Sequence, residues 1–253
     1  QAAARPQPQV SLASATRDLP TETRADPDVE RVAANQNEPT VFQSVNAFAD
    51  NKSQPKVAMY AAGIAVMFLL FSANGAGASL LEEREAGTLG RLLSSRLSLS
   101  ELLIGKWLFI SGLGCVQLTI MFAWGDCFFG VSLRDHLTGF VAITVATSAA
   151  CASFALFLAS LCQSRQQLHG VSIVLVLSMS AVGGSMVPRY IMSDGMRSLG
   201  KFTFNGWALD GFQKIFWYDL PLNAIRGELC VLLSMAVILG MASRLLAVRW
   251  SRT

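Results

Sequence analysis

Five apolar stretches constrain the fold of this chain more than any other feature. The first, from Val57 to Leu81, runs for 25 residues without one charged side chain. A helix of that length extends roughly 37 Å, which exceeds the ~30 Å hydrocarbon core of a bilayer. The other stretches predict spans at residues 102–125, 137–162, 170–188 and 229–248. The sequence therefore predicts an all-α integral membrane protein with five transmembrane helices.

The composition supports this fold class and divides the chain into two parts. Of the 253 residues, 52% are hydrophobic and 15% are charged, whereas soluble domains carry about 25% charged residues. Six of the eight prolines fall in residues 1–56, and none of the five tryptophans does. Residues 1–56 are therefore predicted to form a polar segment outside the membrane, and residues 57–250 a transmembrane domain.

Several classes of function find no support in the sequence. A net charge of +3 without a basic stripe predicts no nucleic-acid partner. The five cysteines form no CxxC pair, and His136 and His169 lie far apart, so no metal site is predicted. No GxxxxGK[ST] loop occurs, so ATP is expected to bind to a different chain.

The loop charges predict an orientation. Residues 82–106 carry four basic residues and the tail after 243 carries three, whereas the connection at 126–136 carries Arg134 alone. By the positive-inside rule, the 82–106 connection and the C-terminus are cytoplasmic, and residues 1–56 lie outside. The connection before the last span weakens this bias, because it carries five basic residues that are only partly balanced by Asp194, Asp210 and Asp219.

That connection contains a second pattern. In NGWALDGFQKIFW, residues 205–217, apolar side chains recur at i, i+3 and i+7 after a possible N-cap at Asn205. The pattern predicts a short helix within an interfacial or re-entrant element at about 189–219. An ordinary surface loop with one buried helix face is the alternative. Gly183-Gly184 mark the expected end of the preceding span.

The stretch SLLEEREAGTLGRLLSSRLS, residues 79–98, changes character within three residues. A charge at the centre of a helix in lipid costs about 3 kcal/mol, so the EERE cluster must lie in water or at a protein surface. Leucines at 89, 92, 93 and 97 then follow on one helical face. We predict a cytoplasmic helix at about 84–98, which either lies flat on lipid head groups or docks into a partner.

The segment LLEEREAGTLGRLLSSRLSLSELLIGKW resembles the one that follows the second span in type-2 permeases of ATP-binding cassette exporters. In that family an E-R-E-x-G-T pattern precedes a G-K pair at the next span. The resemblance extends to VMFLLFSANGAGASLLEERE before it and to GGSMVPRYIMSDGMRSLGKFTFNGWALDGFQKIFW near the end. It covers roughly residues 55–250.

The resemblance implies a coupling helix that contacts a separate ATPase subunit. The family has six spans with an extracytoplasmic domain between the first two, so this chain is expected to be truncated, with 1–56 a remnant of that domain or a linker. ATP and Mg are expected on the ATPase, and no cofactor on this chain. The candidate ATPase contacts are Glu82, Glu83, Arg84, Glu85, Gly87, Thr88 and Arg91.

Two further roles are open at this stage. Gly87 either bends the chain or allows a close approach, unless it is an incidental break. The candidates for a transport path or gate are Asp126, Pro188, Asn205 and Trp207. Asp126 is included because an intramembrane carboxylate is a functional candidate by default, although it lies near the outer end of its span.

The predicted function is the permease subunit of a prokaryotic inner-membrane exporter for hydrophobic or amphipathic substrates such as a drug, lipid or lipopeptide. Its partners would be an ATPase, a second permease, identical or different, and membrane lipid. A secondary transporter would need ionisable residues at mid-membrane and repeated halves, which the sequence does not show. A lipid-modifying enzyme would need convergent polar groups at 189–219, where the residues are aromatic instead.

Overall fold

The computed structural model describes residues 55–248 except for 89, 92–97, 130–132 and 188–191. The described residues form α-helices, one 3-10 turn at Leu222–Ile225 and no strand. The helices are α1 (Pro55–Glu85), α2 (Leu99–Phe129), α3 (Leu137–Leu161), α4 (Arg165–Gly183), α5 (Asp194–Gly200), α6 (Phe204–Phe216) and α7 (Arg226–Val248). Five segments are long and apolar enough to cross a membrane. The predicted all-α membrane fold is confirmed.

Several helix ends differ from the predicted spans, because backbone capping rather than hydropathy decides where a helix stops. α1 continues past the predicted end at Leu81 and includes the EERE cluster. α2 spans Leu99–Phe129 instead of 102–125. α4 begins at Arg165 rather than 170 and ends before Gly184, whose φ of 94° closes the helix.

α3 is the central helix of the bundle. In its apolar stretch 78% of the residues are buried, against 17% in the last span. α3 is rich in alanine, serine and threonine, whose small side chains let neighbouring backbones approach. A Cβ added to Gly77 of α1 would lie 3.3 Å from the Cβ of Ala155. Small residues on both helices therefore set the contact between α1 and α3.

The bundle has two ends with different chemistry. A Cβ on Gly63 would lie 2.7 Å from the Ser185 carbonyl oxygen, so the first half of α1 lies beside the end of α4. The last turn of α1 contacts Arg165 at the start of α4, so the two helices run antiparallel. We call the end that contains Glu82–Glu85 the glutamate end, and the opposite one, where phenylalanine rings cluster, the aromatic end.

The element before the last span consists of α5 and α6, and α6 packs among the spans at the aromatic end. Nine of its residues are buried, including Leu209 and Phe212. The predicted N-cap at Asn205 is wrong. The helix begins at Phe204 and its N-cap is Thr203, whose hydroxyl accepts a hydrogen bond from the Gly206 N–H at 3.3 Å.

Candidate functional site

The candidate coupling sequence begins where α1 ends. Gly87 has a left-handed backbone with φ of 69°, and its N–H donates to the Arg84 carbonyl oxygen at 3.1 Å. The Thr88 hydroxyl donates to the Glu83 carbonyl oxygen at 3.0 Å, which pairs another carbonyl at the helix end. A Cβ on Gly87 would meet no atom within 4 Å. Glycine therefore serves the turn here, not a close approach.

This turn divides the helix predicted at 84–98. The EERE cluster belongs to the last turn of α1, and Arg91 is helical and exposed beyond the turn. The four leucines that predicted an apolar face lie outside the described residues. Arg84 and Glu85, the first residues of the predicted helix, therefore belong to a continuation of the first span.

Glu83 connects α1 to α2. One of its carboxylate oxygens accepts a hydrogen bond from the Lys106 ammonium at 2.8 Å, and the side chain of Lys106 is only 15% exposed. The same ammonium donates to the Ser79 hydroxyl oxygen at 3.0 Å. Because the pair is partly shielded from water, the attraction is stronger than for an ion pair on a fully exposed surface.

Glu82 and Glu85 connect α1 to α4. The Arg165 guanidinium donates to a Glu82 carboxylate oxygen at 3.0 Å. The backbone N–H of Arg165, the first residue of α4, donates to a carboxylate oxygen of Glu85 at 2.9 Å. A carboxylate at a helix N-terminus also interacts favourably with the unpaired N–H groups and the helix dipole there.

Three helix ends therefore meet at one charged cluster, which we call the glutamate junction: Glu82, Glu83, Glu85, Lys106 and Arg165. Its members come from the last turn of α1, the second turn of α2 and the first residue of α4. A displacement of the chain just beyond α1 would reach two further spans through these bonds. Arg84 and Arg91 also make contacts.

The sequence pattern identified the acidic half of the junction and missed the basic half. In the sequence, Lys106 is one of the four basic residues of the 82–106 connection, and Arg165 lies between the predicted third and fourth spans. The only signal was that each lies at a span boundary. A single basic residue at a boundary does not reveal which carboxylate it will contact.

A second capping motif fixes the start of α2. The Ser98 N–H donates to a Glu101 carboxylate oxygen at 2.7 Å, and the Glu101 N–H donates to the Ser98 hydroxyl oxygen at 3.3 Å. This reciprocal pair is a capping box, which the sequence S-L-S-E indicates by its spacing. The start of α2, just after the candidate coupling segment, is therefore fixed by hydrogen bonds.

Of the four candidates for a transport path, Asp126 has a clear local contact. One of its carboxylate oxygens accepts a hydrogen bond from the Leu133 N–H at 3.1 Å, beyond the end of α2. This bond gives Asp126 a role in shaping that connection. Pro188 lies outside the described residues.

Asn205 and Trp207 hold α6 in place. The buried Asn205 side-chain amide donates to the Ser180 hydroxyl oxygen of α4 at 3.2 Å. The Trp207 indole N–H donates to the Lys201 carbonyl oxygen at 2.7 Å, which closes the turn before α6. A Cβ on Gly183 would lie 2.9 Å from that of Asn205, so α4 and α6 are in close contact there. A role for these residues in a transport path stays a prediction.

The aromatic end is held together by stacked rings and by an ion pair whose carboxylate is buried. The ring of Phe122 from α2 stacks on Phe212 and Phe216 of α6, with centroids 4.7 Å and 5.2 Å apart. The Lys214 ammonium donates to a carboxylate oxygen of Glu228 at 2.7 Å, and the Glu228 side chain is only 7% exposed. This pair ties α6 to the first turn of α7.

Comparison with known proteins gives two similarities. A family model described as ABC-2 family transporter protein matches residues 8–245. The linearmycin resistance permease protein LnrN of Bacillus subtilis (strain 168) is 26% identical over 178 residues, which make up 70% of this chain and 46% of that protein. The chain therefore spans less than half the length of this relative.

Proposed function

Since this chain belongs to the ABC-2 family of transporter proteins, we propose that it is the permease subunit of an ATP-binding cassette exporter. The single observation that best supports a coupling role is the glutamate junction. It joins the end of α1, next to the family-like E-R-E-x-G-T sequence, to α2 and α4. A separate ATPase subunit, which binds ATP and Mg, supplies the energy.

The junction suggests how an ATPase drives the spans. The ATPase binds the segment that begins at Gly87, where Thr88 and Arg91 are exposed, and shifts it when its nucleotide state changes. Glu82, Glu83 and Glu85 then act as positioning residues that pass the shift to α2 and α4. The ATPase can move this equilibrium only by as much as it binds the two positions differently.

The strength of the junction suits such a role. Exposed ion pairs contribute about 0.2–1 kcal/mol each, and the Glu82–Arg165 pair is about half-exposed on both sides. Bonds of this strength can break and re-form without unfolding a helix. The more shielded Glu83–Lys106 pair keeps α1 and α2 together meanwhile.

The exporter proposal includes a location and partners. The permease lies in a prokaryotic inner membrane with the glutamate end cytoplasmic, in agreement with Arg91 and Arg165 there. Residues 1–56 are outside and the C-terminus is cytoplasmic. It assembles with a second permease, identical or different, and with the ATPase. The chain itself catalyses no reaction.

The cargo is proposed to be hydrophobic or amphipathic, such as a drug, a lipid or a lipopeptide. The relative named as a linearmycin resistance permease supports a drug among these classes. The apolar bundle is consistent with cargo taken from the cytoplasm or the inner leaflet.

The proposal can be tested by co-purifying the full-length permease with the ATPase encoded beside it. Arg91→Glu is expected to lower the recovery of the ATPase. Arg165→Glu opens the junction and is expected to leave recovery unchanged while lowering permease-dependent ATP hydrolysis. Arg134→Glu, a charge change in an exposed residue beyond α2, is the matched control and changes neither.

Two outcomes would contradict the proposal. If the wild-type permease recovers no ATPase, the exporter function is wrong. If Arg165→Glu releases the ATPase and Arg91→Glu does not, the junction is itself the docking surface, and the proposed transmission through it fails.

A further inference from the structure

An open cleft of about 410 Å³ lies beside the glutamate junction, between the end of α1 and the first half of α2. Its size falls within the roughly 300–1,000 Å³ of small-molecule pockets. Glu101, Lys106 and Ser79 line one end, and Ala76, Phe109 and Ile110 line the other. The cleft is therefore amphipathic along its length.

The order of polar and apolar groups along the cleft matches one leaflet of a bilayer. From Glu101 to Ile110 the cleft follows α2 for roughly 13 Å at ~1.5 Å per residue, and the apolar part beyond Lys106 takes about 6 Å of this. Half of a ~30 Å hydrocarbon core is about 15 Å, so the cleft covers a head group and the first part of an acyl chain. The polar end coincides with the glutamate end of the bundle, and the apolar end points toward the middle of the spans. A lipid of this leaflet would have its head group and chain in the same order.

The cleft is open to the surroundings of the bundle. The Phe109 side chain is 67% exposed, and a Cβ on Gly105, which also lines the cleft, would meet no atom within 4 Å. In a membrane, the molecules that reach such an opening are lipids. An acyl chain in the cleft makes van der Waals contact with its apolar walls.

The charges at the polar end favour one type of head group. An ammonium has three N–H donors. Two of those on Lys106 donate to Ser79 and Glu83, and the third meets no acceptor among the described residues. One carboxylate oxygen of Glu101 accepts from Ser98, and the group is exposed. Within the described residues, one N–H donor of Lys106 and one carboxylate oxygen of Glu101 are therefore available to a ligand.

We propose that this cleft is a binding site for a phospholipid with a zwitterionic amine head group, such as phosphatidylethanolamine. The phosphate accepts from Lys106, the ammonium donates to Glu101, and an acyl chain lies between Ala76 and Phe109. An anionic lipid fits less well, because Glu83 and Glu101 outnumber the single positive charge of Lys106. The site requires only that the protein spans a membrane, so it stands apart from the exporter proposal.

Native mass spectrometry of the delipidated full-length protein tests this site. Phosphatidylethanolamine and phosphatidylglycerol are added in turn, and the affinity for the first bound lipid is measured. We expect phosphatidylethanolamine to bind roughly tenfold more tightly, as hydrogen bonds to charged groups allow. Equal or tighter binding of phosphatidylglycerol would overturn the charge argument and the proposal with it.

Substitutions at two glycines of α2 test where the lipid binds. Gly105→Leu fills the cleft, whereas Gly112→Leu adds the same side chain to the same helix outside the lining residues. Both positions have open space around a Cβ, so neither change strains the fold. We expect Gly105→Leu alone to weaken lipid binding by roughly tenfold. Equal effects of the two variants would show that the lipid binds elsewhere.

A third variant tests the head-group contact. Glu101→Gln removes the carboxylate charge but keeps the capping box, which accepts glutamine at this position. We expect the preference for phosphatidylethanolamine to disappear. A preserved preference would contradict the proposal. Disulfide cross-linking of two copies through Gly105→Cys in lipid membranes would also overturn it, because it would place a second protein chain in the cleft.

Discussion

The two ends of the bundle are held together by different interactions. At the glutamate end, three carboxylates of α1 contact Lys106 and Arg165 through bonds that are partly exposed to water. At the aromatic end, α6 is buried under stacked rings, and Lys214 pairs with a carboxylate that is almost completely buried. The half-exposed Glu82–Arg165 pair of the first end can rearrange at a small free-energy cost, whereas the buried rings of the second end resist rearrangement.

This difference suggests that the two ends of the bundle have separate roles. Breaking the half-exposed pair at the glutamate end costs little, since water replaces the lost partner. Removing one partner from the buried pair leaves a charge without water or a counter-charge, which is far more costly. We therefore expect the glutamate end to respond to a partner and the aromatic end to stabilise the fold. The following predictions test this comparison, from the largest effect to the smallest.

Phe212→Ala should cause the largest loss of stability. Phe212 is buried and stacks on Phe122. Its removal leaves a cavity, which should lower the free energy of unfolding by about 3–5 kcal/mol. Phe202→Ala, at a side chain that is 82% exposed, is the control and should change stability little. Unfolding of the purified protein by denaturant in detergent measures both. A loss below about 1 kcal/mol for Phe212→Ala would contradict a tightly packed aromatic end.

Lys214→Met should cost about 3 kcal/mol, because it leaves the buried Glu228 carboxylate without its charged partner. The double variant with Glu228→Gln removes both charges and should recover much of this loss. The same unfolding measurement applies, arranged as a double-mutant cycle. If the two changes are simply additive, the pair does not hold α6 to α7.

Gly87→Ala should destabilise the protein by about 1 kcal/mol, since a Cβ disfavours the left-handed backbone observed there. Gly75→Ala is the matched control, because Gly75 lies within α1 and has open space around a Cβ. That change should be neutral or stabilising, since alanine favours the helix more than glycine does. A similar response at both positions would argue against a required turn after α1.

The smallest effect on stability is expected at the half-exposed pair of the glutamate junction. Glu82→Gln should lower the free energy of unfolding by less than about 1 kcal/mol. The control Asp135→Asn removes an exposed carboxylate charge outside the junction and should have a similarly small effect. A loss at Glu82 as large as that at Lys214 would remove the contrast between the two ends.

The sequence predicted the class of fold well and the ends of its elements less well. Apolar length identifies segments that can lie in lipid, so five spans followed directly. Hydropathy does not register that a helix continues into charged residues, as α1 does through Glu85. The break at Gly183-Gly184 was predictable, because glycine is favoured where a helix ends with positive φ.

The contacts of the candidate site could be predicted only in part. The EERE cluster stood out in the sequence, but its partners Lys106 and Arg165 are 23 and 83 residues away from the carboxylates they contact. The periodic apolar residues of α6 predicted a helix with an apolar face. They did not reveal that Phe122 and Phe140, from two other helices, pack with the rings on that face. Such pairings depend on how the spans are arranged in three dimensions.

The central claim is that the glutamate junction transmits movement between the coupling segment and the spans. The most direct measurement is permease-dependent ATP hydrolysis in lipid nanodiscs that contain the full-length permease and its ATPase. Glu82→Arg and Arg165→Glu should each lower the rate, and the double variant, which restores an ion pair with reversed charges, should recover most of it. If the double variant is as impaired as the two single changes combined, the junction does not transmit the movement.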